Sequence, residues 1–169
     1  MVLKARRRQR QQPVVMDQFL TFFVRQEQFA VPMDQANRVI PLPPIYGDRS
    51  GRGVGLVTHG DREILVIDLG RCLFAEPLSA AETEKLKFLL ILQPDLDGEW
   101  LGFPLMEPPV IERIPREHIH PIPKNYLHWG NIHHVSALMV SSSNDPNLPP
   151  IFIVDVPRVL ASLQTLQTP

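Results

Sequence analysis

The order of apolar and polar positions along the chain predicts β-strands that come in pairs separated by short polar turns. Turn-forming residues lie between the members of each pair: Gln26 with Glu27, the run around Gly60, Asp97 with Gly98, and the polar loop 141–150. The four predicted hairpins are 19–25 with 28–32, 55–57 with 63–69, 88–92 with 100–106, and 135–140 with 151–154.

Short helices are predicted between and after these hairpins. Residues 33–40 carry apolar side chains at helical spacing, which predicts one or two turns of helix. Ser79 followed by Glu82 is a capping-box pattern, and it predicts a short helix that ends at about Lys87. Residues 157–166 begin with proline and place leucines on one face, so we expect a terminal helix there.

Proline content narrows the fold class. Eighteen of the 169 residues are proline, about twice the ordinary share of roughly 5%. Five of them lie in residues 107–125, which we expect to form extended segments or isolated turns. Prolines spread over the whole chain exclude a helical bundle. Apolar residues make up 44%, enough to close a core, so we predict a β-dominated body of partly closed barrels.

The basic residues are distributed unevenly. The net charge is −1, but residues 1–12 hold five of the 17 basic residues and no acid, so the remainder carries 12 basic against 18 acidic residues, or −6. Residues 1–16 show no periodic pattern, and we expect a disordered basic N-terminal arm. Such an arm is a solvated tail or a contact for nucleic acid, lipid headgroups or an acidic partner.

No targeting or spanning segment is evident. The longest apolar runs, 19–24 and 88–92, fall far short of the ~20 residues that a membrane helix needs. Asp17 and Gln18 interrupt the apolar part after the basic start, so we expect no export signal. The single cysteine, Cys72, can form no internal disulfide, which fits a reducing compartment. We therefore expect a cytoplasmic protein.

The histidines do not form a recognisable metal motif. His118 and His120 would lie on one face of a strand, and three further histidines follow closely: His128, His133 and His134. Zinc ligation usually needs three or four donors at short, defined spacings, and here the thiol of Cys72 is far away in the sequence. We expect no metal and no other cofactor.

Catalytic motifs are equally weak. Asp68 and Asp155 each follow an apolar run, and they are either paired acids in a cleft or caps at strand ends, of which we favour caps. No serine lies in a Gly-x-Ser-x-Gly turn. Residues 51–55 are rich in glycine but lack the Gly-Lys-Ser/Thr ending of a phosphate loop, and a strand follows them. We predict that the protein is not an enzyme.

The second hairpin resembles a known family. Residues 55–69 read GLVTHGDREILVIDL, which is similar without a gap to the Gly-Val-Ile-Asn-Leu-Arg-Gly-x-Val-x-Pro-Val-Ile-Asp-Leu pattern of CheW-like adaptors. Upstream, residues 19–22 and 29–33 resemble the opening hairpin of that family, and residues 33–40 resemble its turn of helix. Downstream, residues 153–155 before a leucine-bearing helix resemble its closing strand.

The resemblance implies a single domain over residues 17–163, built from two intertwined five-stranded barrels of the Src-homology-3 type with short helices. It places the first barrel at about 33–85, the second at about 17–32 plus 86–155, and the terminal helix at 157–166. It also implies a non-enzymatic scaffold in chemotaxis or in pilus-based motility or phototaxis-type signalling.

The partners implied by the resemblance are the regulatory domain of a CheA-type histidine kinase, on the first barrel, and the cytoplasmic tip of a methyl-accepting receptor, in a groove between the barrels. No small-molecule substrate and no membrane insertion are implied. The candidate partner-binding residues by position are Met33, Ala36, Arg38, Val39, Ile40, Leu56, Val57, Thr58, Gly60 and Arg62.

Three positions depart from the family pattern. Gly60 replaces the hairpin arginine, Asp61 the glycine after it, and Arg38 the usual glutamate of the helical turn. Arg62 is a substitute for the missing guanidinium two residues later. Reversed charge on an interface rim rejects one partner as readily as it selects another, so we expect an adaptor with its own kinase and receptor.

A nucleic-acid-binding barrel that uses the basic arm is the alternative function. It predicts binding to bulk DNA or RNA that falls steeply with salt and is lost when residues 1–12 are deleted.

Overall fold

The computed structural model describes residues 11–47, 53–123, 132–141 and 147–167. Eleven strands are present in these ranges. They are β1 Met16–Val24, β2 Glu27–Pro32, β3 Ala36–Pro41, β4 Val54–His59, β5 Arg62–Ile67, β6 Phe88–Leu92, β7 Trp100–Leu105, β8 Val110–Pro115, β9 Ile119–Pro121, β10 Val135–Val140 and β11 Ile151–Val154. The α-helices are α1 Leu69–Phe74, α2 Ala80–Glu84 and α3 Val156–Gln167, and 3₁₀ turns lie at Met33–Gln35 and Arg116–His118.

The strands form two sheets, which confirms the predicted mainly β fold of two barrels. The first-barrel sheet has the order β3-β6-β7-β5-β4, and the second-barrel sheet has the order β8-β1-β2-β11-β10-β9. Each contains one parallel pair, β5 with β7 and β2 with β11, and the other pairs are antiparallel. The second-barrel sheet takes strands from both ends of the chain, so it encloses the first barrel in sequence.

The loop after β3 pairs with the free edge of β4. Tyr46 and Leu56 exchange two backbone hydrogen bonds of 2.8 Å, the Tyr46 amide donating to the Leu56 carbonyl and the Leu56 amide to the Tyr46 carbonyl. Since β3 and β4 are the two edges of the first-barrel sheet, this bridge connects them and protects the edge of β4 from pairing with another chain.

Three apolar clusters fill the molecule. The barrel-1 cluster draws only on the first-barrel sheet and contains Val57, Ile64, Val66, Leu89 and Ile91. The barrel-2 cluster draws only on the second-barrel sheet and contains Phe19, Ala30, Ile114, Val140 and Ile153. The shared core lies between the sheets; its largest buried members include Phe22, Phe29, Leu90, Phe103 and Phe152. Strands buried on both faces explain the continuous apolar run of β6.

The turn between β1 and β2 is clamped to the helices of the first barrel. Arg25 has a left-handed backbone (φ 57°), and its guanidinium lies 5.2 Å from the centre of the Phe74 ring. Its Nε donates to Glu82 Oε1 at 3.1 Å. The amide of Ser79 and the guanidinium of Arg25 both lower the pKa of the Glu82 carboxyl. Glu82 and Ser79 cap each other reciprocally, which confirms the predicted capping box.

All four predicted hairpins are present, as β1–β2, β4–β5, β6–β7 and β10–β11. The predicted terminal helix is α3. Residues 1–10, which carry the basic side chains of the arm, lie outside the described residues, and residues 11–15 have no regular structure.

The structure corrects two predictions, one about residues 33–40 and one about residues 86–105. Residues 33–40 do not form turns of α-helix: a 3₁₀ turn is followed by β3, because pairing with β6 (Val39 opposite Leu90) satisfies the backbone and suits two β-branched residues. The segment 86–105 does not join the second barrel: β7 runs parallel to β5, which places β6 and β7 in the first-barrel sheet.

A further difference follows β5. The strand predicted over 63–69 ends at Ile67, and α1 begins directly afterwards. The Asp68 carboxylate accepts a hydrogen bond from the Arg71 amide at 3.0 Å, so it caps the new helix instead of continuing the strand.

Candidate functional site

A polar groove on the first barrel brings together three of the ten candidate residues, Arg38, Gly60 and Arg62. Its volume is about 270 Å³. Arg38 comes from β3 at one edge of the sheet, and Gly60 and Arg62 come from the β4–β5 turn at the other edge. We call it the arginine groove; its walls are completed by Asn37, His59, Asp61, Ile64, Ile91 and Trp100.

Both guanidinium groups of the arginine groove are available to a partner. The Arg62 guanidinium lies over the Trp100 ring, 4.4 Å from its centre, a cation–π contact that holds its plane in place. The Nε of Arg38 donates to Asn37 Oδ1 at 3.2 Å. Neither guanidinium forms an ion pair within the described part of the chain. The groove therefore offers two pre-positioned cations above an apolar floor.

Gly60 serves the turn and makes no contact of its own. Its φ is +62°, in the left-handed region that favours glycine, and an added Cβ would meet no heavy atom within 4 Å. The glycine that replaces the family arginine therefore leaves open space beside Arg62, in the same groove.

Exposed apolar side chains lie on the two edge strands of the same sheet. Val39 on β3 and Leu56 on β4 are each 38% exposed, and Thr58 is also exposed. Val57 is 0% exposed and belongs to the barrel-1 cluster. Successive side chains along a strand point to opposite faces of the sheet, so Val57 faces the interior of the barrel while Leu56 and Thr58 face outward. The Val57 side chain is therefore not accessible to a partner in this structure.

The other candidates on the 33–40 segment are half-buried. Met33 and Ala36 pack against the shared core, and Ile40 packs against the barrel-1 cluster. Each of these three side chains is therefore partly packed in the interior and partly accessible to a partner.

Trp100 is a functional candidate that sequence reasoning missed. It lies opposite Ile64 in the parallel pairing of β7 with β5. Its position under Arg62 depends on this long-range pairing, and no local pattern of residues signals it.

A second groove lies at the seam between the barrels, beside α3. It is lined by the 3₁₀ turn after β2, by the β6–β7 turn and by the first half of α3, and its volume is about 450 Å³. Asp34, Asp95 and Asp97 supply its charges, and no basic side chain lines it among the described residues. We call it the seam groove; its apolar surface comes from Leu96, Val156, Pro157, Leu160 and Ala161.

A third groove lies on the other side of α3 and contains Cys72 and His134. Burial raises the pKa of the Cys72 thiol to about 12, with a smaller contribution from the charge of Asp68. His134 Nδ1 lies 2.7 Å from the Cys72 carbonyl oxygen and 3.8 Å from its sulfur. Because the thiolate and not the thiol is the nucleophile, this arrangement does not activate the cysteine.

The candidate acids are structural. Asp68 accepts hydrogen bonds from the amides of Arg71 and Leu78, and Asp155 accepts one from the Arg158 amide. These contacts confirm that both carboxylates act as caps. Within the described ranges, no three histidine, cysteine or acidic side chains are grouped as metal ligands would be, and His128 lies outside those ranges.

We expect Cys72 to be alkylated slowly in the folded protein. At pH 8 the raised pKa leaves a thiolate fraction roughly 1,000-fold smaller than that of an ordinary cysteine, so iodoacetamide should react at least 100-fold faster in urea. The measurement is mass-spectrometric labelling over time. The native rate should also keep rising about tenfold per pH unit from pH 8 to 10. Equal rates in the folded and unfolded chains would contradict the buried position of the thiol.

No helix in the described ranges is long and apolar enough to cross a membrane.

Comparisons with known proteins agree with this architecture. The family model described as CheW-like domain matches residues 18–164. The structure is similar to the crystal structure of scaffolding protein TtCheW from Thermoanaerobacter tengcongensis, with a TM-score of 0.63 and 15% sequence identity over 86% of this chain and 87% of that chain. At this identity the likeness concerns the fold. No curated protein matches the chain.

Proposed function

The chain belongs to the CheW-like family, and from this premise we propose that it is a non-enzymatic adaptor that couples methyl-accepting receptors to a CheA-type histidine kinase. The observation that carries the proposal is the family match, which covers nearly the whole chain from residue 18 to residue 164. The adaptor acts in the cytoplasm, at receptor arrays, in chemotaxis or pilus-based motility signalling.

The kinase's regulatory domain docks on the first barrel. Its exposed apolar anchors are Val39 and Leu56 on the two edge strands, and its charged contacts come from the arginine groove. An apolar contact with a charged border is the usual composition of a specific protein interface. The unpaired guanidinium groups of Arg38 and Arg62 favour carboxylates on the partner, because Arg binds carboxylates in a bidentate geometry.

The receptor tip docks in the seam groove. This groove suits the apolar face of a helical segment in its chemistry, since its lining combines apolar side chains, several of them from α3, with acidic ones. Met33 begins the neighbouring 3₁₀ turn and Ala36 directly follows it, and both side chains pack against the shared core.

The state of the side chains that an enzyme could use also supports a role as a scaffold. The thiol of Cys72 has a pKa of about 12, and the carboxylates of Asp68 and Asp155 are engaged as caps. A thiol with so high a pKa is not a nucleophile near neutral pH, and the two carboxylates accept hydrogen bonds from backbone amides.

We expect Val39→Asp and Leu56→Asp to weaken kinase binding while leaving the fold intact. A charge at an apolar anchor must be desolvated in the complex, so each substitution should raise the Kd at least tenfold. The measurement is calorimetric titration with the purified regulatory domain of the CheA-type kinase encoded in the same genome. Leu138→Asp is the matched control, because Leu138 is 43% exposed on β10 of the second barrel.

The titration has clear alternative outcomes. If the unaltered protein binds neither the kinase domain nor the receptor tip, the proposed function is wrong. If it binds the kinase domain and both variants bind it equally well, the function stands and the kinase surface lies elsewhere.

A further inference from the structure

The basic arm and the acidic seam groove have complementary chemistry. Residues 1–12 carry Lys4, Arg6, Arg7, Arg8 and Arg10 without an acid, whereas the rest of the chain has a net charge of −6. In the seam groove, Asp34, Asp95 and Asp97 form no ion pair with any described residue. The kinase and receptor contacts proposed above involve other residues, so these five basic side chains have no role in them.

The apolar part of the seam groove also lacks a cover. Leu96 is fully exposed at the tip of the β6–β7 turn, and Leu160 on α3 lines the same groove. An occupant with apolar side chains would gain free energy by burying this surface. The arm begins with Val2 and Leu3, so it combines apolar side chains with positive charge, as the groove combines apolar surface with negative charge.

An unused acceptor points to an occupant with hydrogen-bond donors. Gln35 Oε1 is buried and has no hydrogen-bond partner among the described residues, and Gln35 lines the seam groove. The backbone carbonyl of Gln35 is already engaged by the Gln93 amide at 2.8 Å. Buried acceptors are nearly always paired in folded proteins, and guanidinium groups and backbone amides are the kinds of donor that pair with a glutamine oxygen.

The arm leaves the body at the end of the sheet where the groove lies. Phe19 on β1 is paired with Pro32, the last residue of β2, and the 3₁₀ turn with Asp34 follows Pro32 directly. Phe19, three residues after the start of β1, therefore lies next to the residue that precedes one wall of the groove. An extended chain covers up to about 20 Å from Met16 back to Arg10 and up to about 40 Å back to Lys4, enough to follow the groove to Asp95 and Asp97.

We propose that residues 1–12 dock in the seam groove of their own chain, with arginine side chains on Asp34, Asp95 and Asp97 and apolar side chains on Leu96 and Leu160. Exposed ion pairs are individually weak, but tethering raises the local concentration of the arm to roughly the millimolar range. The arm then covers the groove until a stronger ligand displaces it. If the proposed function holds, that ligand is the receptor tip, and the arm regulates its binding.

Paramagnetic relaxation in the full chain tests this docking directly. A spin label on Ala5→Cys, in a Cys72→Ser background, should broaden the amide signals of Leu96 and Ala161 by at least twofold relative to the reduced label. The amides of His59 and Arg62, which line the like-charged arginine groove, should be unaffected. Sodium chloride at 0.5 M should abolish the effect, because it screens exposed charges.

The matched variant is Asp34→Asn with Asp97→Asn, which removes two charges and leaves the Asp95 carboxylate that accepts from the Asp97 and Glu99 amides in the turn. It should reduce the broadening at least twofold. Broadening that is absent, spread over all surfaces, or insensitive to both salt and the variant would overturn the proposal. Broadening that appears only when labelled and unlabelled chains are mixed would assign the groove to a second copy and would equally overturn it. None of these results depends on whether kinase or receptor binds.

Discussion

Val66→Asp is expected to unfold the first barrel. Val66 is 3% exposed and belongs to the barrel-1 cluster, whose other buried members are all aliphatic. A carboxylate there has no partner: Arg62 lies on the same face of β5 but four residues away, about 13 Å along the strand. An unpaired buried charge costs about 4 kcal/mol or more, a large part of the 5–15 kcal/mol by which a typical domain is stable.

Two control variants separate the effect of charge from the effect of size. Val66→Ala removes two methyl groups and should cost about 2 kcal/mol. Leu56→Asp introduces the same carboxylate on the adjacent strand at an exposed position and should cost about 1 kcal/mol or less. Urea unfolding followed by circular dichroism gives all three values. A soluble Val66→Asp protein with a cooperative transition near that of the unaltered chain would contradict the assignment of this strand to the core.

Phe29→Ala is expected to have the second largest effect, through the shared core. Phe29 is 0% exposed. Its ring is stacked on Phe22, meets Phe74 of α1 edge-on at 5.9 Å and lies 6.1 Å from Phe152 of β11. Removing a buried phenylalanine ring costs about 3–5 kcal/mol, which for a domain of this size lowers Tm by roughly 10 °C.

The matched control lies on the same hairpin. Phe23 pairs with Gln28 on the opposite face of the β1–β2 hairpin and is 59% exposed, so Phe23→Ala should change the free energy of unfolding by about 0.5 kcal/mol or less. Thermal unfolding should remain a single transition in Phe29→Ala, because this ring joins elements of both barrels. Two separated transitions, or equal effects of the two variants, would show that the barrels do not share one core.

Two exposed arginines of the first barrel, Arg38 and Arg62, lie in one groove. The resemblance identified Arg38 as a departure from the family pattern and Arg62 as a substitute for its hairpin arginine, and the structure places both in one groove with Trp100. A glutamate at position 38 would face the same groove with the opposite charge, so a partner suited to that family pattern would meet repulsion here. Under the proposed function, we therefore expect Arg38 and Arg62 to contribute together to the choice of kinase.

The hairpins and helix caps of this protein could be predicted from its sequence alone, because short-range patterns of residues specify them. Gly60 and Gly98 have φ values of +62° and +81° at the tips of two predicted hairpins, and Ser79 with Glu82 forms the predicted capping box. The run 55–69 was sufficient to indicate the family, which the match over residues 18–164 confirms. These features depend on residues within a few positions of one another, so a short stretch of sequence includes every residue that makes the contact.

Tertiary structure alone decided which strands share a sheet and which side chains face outward. Residues 33–40 have helical spacing, but pairing with β6, some 50 residues later, makes them a strand. Alternation predicts that either Leu56 or Val57 is buried; packing against Ile64 and Leu89 selects Val57. Trp100 reaches Arg62 only through the parallel pairing of β7 with β5. Such contacts gain their free energy from surfaces distant in the chain, and no local pattern of residues records which distant surface each will meet.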